Sequence, residues 1–146
     1  MICMNKKAES FKAYLDENKI TCFAVDEVAD DRLHTVVFRS SLDINGQQLP
    51  TLLILDDSIY GMVRVLVAPK AVNDGNAQDL YKELNELNKK YKSFKYYFDN
   101  DGNLVLDCCM LCPNDSIAGG FVYTMFDVII RHLNDEYKKL MKLIWK

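Results

Sequence analysis

The stretch His34–Leu55, HTVVFRSSLDINGQQLPTLLIL, decides the architecture. Its first half alternates: His34, Val36, Phe38, Ser40, Leu42 and Ile44 share one strand face, largely apolar, and Val37, Arg39, Ser41 and Asp43 share the other. Side chains along a strand point alternately to opposite faces, so the pattern predicts a strand with one face on a core. Asn45-Gly46 follows, a pair suited to a type I′ hairpin because both central residues need positive φ. Leu49–Leu55 returns as a strand rich in apolar residues on both faces, where Pro50 is allowed only at the start or on an edge. Asp56-Asp57-Ser58 turns the chain again, and Tyr60–Ala68 makes another strand. Connections this short argue for an antiparallel meander, because parallel strands need a long crossover.

Upstream, Asn5–Asn18 reads as a helix. Phe11, Tyr14 and Leu15 fall at i, i+3 and i+4, with Ala8 one turn earlier. Ile20–Val28 reads as extended, and Asp26, Glu27, Asp30 and Asp31 make the next connection acidic and solvated, without the spacing of an ordered cation site. Downstream, Asn73–Asn76 leads into a helix through about Tyr91, with Leu80, Leu84 and Leu87 on one face and Lys82, Glu83, Glu86, Lys89 and Lys90 on the other. Phe94–Phe98 and Leu104–Leu111 form a second hairpin around Asn100-Asp101-Gly102. From about Asp115 to Ile144 the pattern is one long helix, or two that meet at a kink. The order α-β-β-β-β-α-β-β-α predicts an α+β fold with an antiparallel sheet. No linker-like stretch or internal repeat divides residues 1–146, so one domain is expected.

The 146 residues are 49% hydrophobic and 27% charged, which suits a packed core and excludes a disordered chain. The longest unbroken apolar run is the five residues Cys108–Cys112, so no segment is expected to span a bilayer. Met1–Lys12 lacks the apolar stretch of a signal peptide. The net charge of −3 is evenly spread: residues 1–73 carry 8 basic and 10 acidic side chains, residues 74–146 carry 10 and 11. That balance leaves no electrostatic footprint for nucleic acid. Lys89, Lys90, Lys92 and Lys95 gather near a helix end, where the dipole favours cations. A second cluster, Lys138, Lys139, Lys142 and Lys146, is interleaved with Leu140, Met141, Leu143, Ile144 and Trp145, which leaves an anionic surface or partner peptide as an alternative to a solvated helix end.

The five cysteines are Cys3, Cys22, Cys108, Cys109 and Cys112. Their odd number, with no signal peptide, suggests reduced thiols in a cytoplasm. Cys109-Met-Leu-Cys112-Pro113 is a C-x-x-C ahead of a helix, where a thiolate is stabilised, so Cys109 and Cys112 form an alternative redox pair. Dithiol oxidoreductases place that motif in a strand-to-helix turn of a βαβ unit, whereas here it ends a hairpin strand. Zinc would need two further ligands on this pair, from Cys3, Cys22 or the isolated His34 and His132. Asp99-Asn-Asp101-Gly102-Asn103 lacks the glycine and glutamate positions of a calcium loop and reads as a hairpin turn. G-x-S-x-G, G-x-G-x-x-G and the P-loop are missing. No catalytic residue, metal or cofactor is expected. Gly119-Gly120 marks a close approach by another backbone or an anion at the helix start.

Two apolar rows run along the last helix: Ile117, Phe121, Met125 and Val128, and Val122, Phe126, Ile129 and Leu133. A helix lying on one core shows an apolar arc a little over about 100° wide. This one is wider, so Phe121, Met125, Phe126, Ile129 and Ile130 are expected to face a second subunit or a protein partner. The alternative is a central core helix covered on several sides.

Leu84-Asn-Glu-Leu-Asn88, leading through Tyr91 and Phe94-Lys-Tyr-Tyr-Phe98 to Asp101-Gly102-Asn-Leu-Val105 and the closing helix, resembles the YbjN-like family of bacterial proteins. That family has the type III secretion chaperone-like fold, and the likeness rests on the order of elements over nearly the whole chain. It implies a small, dimeric, non-enzymatic protein linked to regulation or protein binding. The Cys108-Cys109-Met-Leu-Cys112 cluster lies outside the family pattern.

Overall fold

The computed structural model describes residues 4–146. Its elements run α1 (Lys6–Glu17), β1 (Ala24–Glu27), β2 (Val36–Ile44), β3 (Gln47–Leu55), β4 (Tyr60–Ala68), α2 (Ala77–Lys90), β5 (Phe94–Phe98), β6 (Leu104–Leu111) and α3 (Gly119–Ile144). A short 3₁₀ turn at Pro113–Asp115 precedes α3. The strands form one six-stranded antiparallel sheet in the order β1-β2-β3-β4-β6-β5. The predicted element order holds. Cys3 lies outside the described residues.

Asn45 and Gly46 take φ of 51° and 81°, the two positive values a type I′ turn requires. The register from Val36↔Leu55 to Ile44↔Gln47 follows directly. Pro50 pairs with Ser41 on one side, but the β3–β4 ladder begins only at Thr51↔Val65. Pro50 therefore sits where β3 has a local free edge, and its missing N–H breaks no β4 bond. His34, expected on the β2 face, instead lies before the strand at φ 52°, exposed, with Nδ1 2.6 Å from Asp57 Oδ2. A tight turn puts it there: His34 donates its amide to the Asp31 carbonyl, and the Asp31 carboxylate accepts the Thr35 amide. β1 is shorter than its apolar pattern suggests and is exposed throughout.

Alternation divides the sheet. Val36, Phe38, Leu53, Leu55, Val63, Val65, Leu106, Cys108 and Tyr96 are buried and join the helices in one core. Val37, Leu52, Ile54, Met62 and Leu66 on the opposite face are half-buried. Arg64 and Asp107 lie at the centre of that face. The guanidinium donates from Nε to Asp107 Oδ1 at 2.9 Å and from Nη2 to Oδ2 at 3.1 Å, and the Tyr97 hydroxyl adds a bond at 3.0 Å.

α1 begins at Asn5, whose side chain accepts the Ala8 amide as a cap. The Asn5 amide group also donates to the carbonyls of His34 and Leu55, so one buried residue joins the helix start to the sheet. Lys7 is buried too, its ammonium donating to the carbonyls of Ser58 and Tyr60 at 2.6 Å each. Phe11 then packs edge-on against Phe38 and Phe23, at centroid distances of 5.0 and 5.6 Å. Gly119 starts α3 directly over the Tyr14 ring: a Cβ there would stand 2.0 Å from Tyr14 Cγ. The approach that requires this glycine is by an aromatic ring, not the backbone anticipated, and Gly120 faces open space. At the other end, the buried Asn76 donates to the carbonyls of Ala71 and Ile144, fastening the entry of α2 to the exit of α3.

Candidate functional site

α3 is one continuous helix, and its width is absorbed mostly by the protein's own core. Met125, Phe126 and Ile129 are buried. They belong to the core, covered on several sides by sheet and helices, as the alternative of a central core helix has it. Ile130 is half-buried against the core, and Phe121 is 52% exposed. Of the two apolar rows, Val122, Phe126, Ile129 and Leu133 are all enclosed, whereas Phe121 and Val128 of the other remain in solvent.

Those two residues face the end of β6. Cys109 and Leu111 are exposed on β6, and Cys108, Met110 and Cys112 are buried, as strand alternation dictates. Cys109 and Cys112 thus lie on opposite faces of the chain. The motif also ends well short of α3, since Pro113–Asp115 and Ser116–Ala118 intervene. Burial pushes the Cys108 thiol up to about 11 and the Cys112 thiol above its usual range, the reverse of what a nucleophilic thiol needs. The geometry lends the redox pair no support. Among the described residues, no group of three His, Cys, Asp or Glu side chains could hold a metal ion. The Asp99 carboxylate closes its own hairpin, accepting from the Asp101 and Asn103 amides and the Asn103 side chain.

A depression of about 820 Å³ lies at the other end of α3. Tyr137, Lys138, Met141, Lys142 and Trp145 form one wall, and the β2–β3 hairpin from Asn45 to Pro50 forms the other. It opens where the β3–β4 ladder stops at Thr51↔Val65 and β4 continues through Leu66–Ala68 with a bulge. Trp145 is 70% exposed at its rim. The lysine cluster is sorted by this packing. Lys139 pairs with Glu83 and Lys146 with Asp79, both on α2, while Lys138 and Lys142 have no ion pair among the described residues and line the groove. The interleaving of lysines with Met141 and Trp145 was the sequence signal for it; the Asn45–Pro50 wall had none.

His132, isolated in sequence, is buried on α3 among Tyr91, Phe94 and Tyr96, with Nε2 2.6 Å from the Tyr96 hydroxyl and Nδ1 unpartnered. Burial pulls its pKa below the ordinary value, against Glu136 and Asp135, which raise it. The unfolded chain therefore binds this proton more readily. His132's contribution is complete above about pH 6.5 and falls as pH drops below that value. Urea midpoints are expected to decline from about pH 7 to pH 5, with His132→Phe making the decline shallower. An equal decline in that variant would assign the pH dependence to other groups.

Three helices joined in one core with a six-stranded antiparallel sheet, ending in a long C-terminal helix, make this an α+β protein of the type III secretion chaperone-like fold. The chain is similar to a chain of the crystal structure of the ExsC–ExsE complex, with a TM-score of 0.59 over 94% of this chain and 97% of that one, at 12% identity. No family model matches the chain, and no curated protein matches it. No helix of the described residues is long and apolar enough to cross a membrane.

Proposed function

We propose that this chain is a non-enzymatic, chaperone-like protein-binding module, one domain over residues 1–146, that works in the cytoplasm as a homodimer. The observation that carries the reading is the 820 Å³ groove walled by Met141, Trp145, Lys138 and Lys142. An exposed tryptophan beside two unpaired lysines suits a segment that is apolar and acidic, because aromatic anchors dominate interface energetics and lysines select the charge. The fold agrees with this role, since the similar structure is of a complex, ExsC with ExsE. The regulatory role and YbjN-like affiliation rest on the order of elements and the Leu84–Val105 pattern. For the homodimer, the half-buried sheet face with Leu52, Ile54 and Met62 is the surface a second copy covers, and of the expected α3 residues only Phe121, exposed, and Ile130, half-buried, are not enclosed by the core.

Capture from the native cytoplasm followed by mass spectrometry tests the reading, with wild type and a Trp145→Ala/Lys142→Glu variant side by side. One partner retained by wild type and lost by the variant is expected; identical captured sets would contradict it. Light scattering behind a sizing column is expected to give twice the chain mass for wild type and the monomer mass for Leu52→Lys/Ile54→Lys. A monomeric wild type at tens of micromolar removes the dimer.

A further inference from the structure

We propose a second binding site at the free end of β6, which takes an extended segment of a partner protein as an added β-strand, apolar at alternate positions and acidic at one end. It shares with the proposed function only the premise that a partner is a polypeptide, and it uses a different surface. The argument starts from the ladder. Cys112 donates its amide to the Ile59 carbonyl at 2.6 Å. Successive residues of an antiparallel strand turn their N–H and C=O groups to opposite sides. Cys112, Met110 and Cys108 therefore bond toward β4, and Leu111 and Cys109 are turned toward β5. The β5–β6 register, however, begins at Phe94↔Cys108, and Lys92 and Ser93 lie in a bend. The carbonyl of Cys109 and both main-chain groups of Leu111 consequently look past the start of β5 onto an open edge. Such an edge is a template for another strand.

Beside this edge lies a groove of about 300 Å³ between β6 and α3, lined by Met110, Phe121, Thr124, Met125 and Val128. Phe121, Val128 and Leu111 are 52%, 44% and 65% exposed. A strand laid along the edge would send alternate side chains down into this groove and up beside Cys109 and Leu111. That accounts for exposed apolar residues on both sides of one unpaired edge. The free edge is confined to Cys109 and Leu111 beyond the start of the β5–β6 register, which fits an extended segment. A second copy is disfavoured, since a stable interface buries roughly 800 Å² per partner. Charge sets the flank. Lys92 and Lys95, both exposed, line the adjoining hollow with Asp107, whose charge Arg64 already neutralises. The net field at that end is positive and calls for an acidic residue there.

The test uses the full chain and an array of nonapeptides alternating Val, Ile, Leu or Phe with Thr or Ser, bearing Asp or Glu at either end. Binding is read by fluorescence anisotropy, and amide hydrogen exchange locates it. Expected is a subset of acidic-ended peptides that slows exchange at Leu111. Leu111→Pro removes an edge-facing N–H and leaves the β4 ladder intact, and it is expected to weaken binding about tenfold, the loss of roughly one good hydrogen bond. Val128→Lys fills the groove with charge and is expected to abolish binding, with unchanged thermal unfolding for both variants. The proposal is overturned if no peptide of the array binds, if Leu111→Pro binds as well as wild type, or if Leu111 is already protected without peptide because a second copy covers it. Loss of the captured partner with Trp145→Ala/Lys142→Glu but not with Leu111→Pro retires this site and leaves the proposed function standing. Retention by both variants retires both.

Discussion

Arg64→Met is expected to destabilise the protein by about 3 kcal/mol, because it leaves the Asp107 carboxylate without its cation. Asp107 is 2% exposed, and Arg64 supplies two of its three side-chain hydrogen bonds. Truncating one partner of a buried pair costs more than the pair contributes, since the remaining charge keeps its desolvation penalty. The double variant Arg64→Met/Asp107→Leu is therefore expected to return to within about 1 kcal/mol of wild type. Tyr97, half-buried, then turns its hydroxyl to water. Urea unfolding of the four proteins measures this. Additive losses would show instead that the two side chains contribute independently and that Asp107 does not rely on Arg64 to compensate its buried charge.

Phe11→Ala is expected to cost about 4 kcal/mol, the largest effect among single side chains here. Phe11 is fully buried and is the point where α1 meets Phe38 of β2 and Phe23 of the segment leading to β1. Its removal leaves a cavity that Asn5 and Lys7 keep from collapsing, because their hydrogen bonds hold α1 to the β3–β4 region. Phe11→Leu, closer in volume, is expected to cost under about 1.5 kcal/mol. A lower denaturation midpoint at unchanged slope is the expected signature. A loss below about 1 kcal/mol for the alanine variant would mean that α1 is only loosely docked.

The strands were legible because Val36–Ile44 and the Asn45-Gly46 turn report their structure locally, through alternation and positive φ. The second hairpin was legible for the same reason, with Gly102 at φ 78°. What was not legible depends on tertiary neighbours. Met125 and Phe121 occupy one helical row and look alike in sequence, yet one is enclosed and the other faces solvent, and only the position of β6 separates them. Cys109-x-x-Cys112 reads as a motif by spacing, but a strand puts those two thiols on opposite faces. Lys7 carried no sequence signal of burial, because its carbonyl partners, Ser58 and Tyr60, come from a distant turn. Trp145 and its lysines were visible as an unusual C-terminal cluster. The wall that makes them a groove comes from a hairpin tip about a hundred residues away in the chain.

Trp145 is the only tryptophan of the chain, so its fluorescence reports on the proposed partner groove without labelling. Titrating the captured partner, or the segment of it that binds, is expected to shift Trp145 emission to shorter wavelength as the ring leaves water, and Lys142→Glu is expected to weaken the response. A partner that binds while the Trp145 emission stays unchanged would contradict the account.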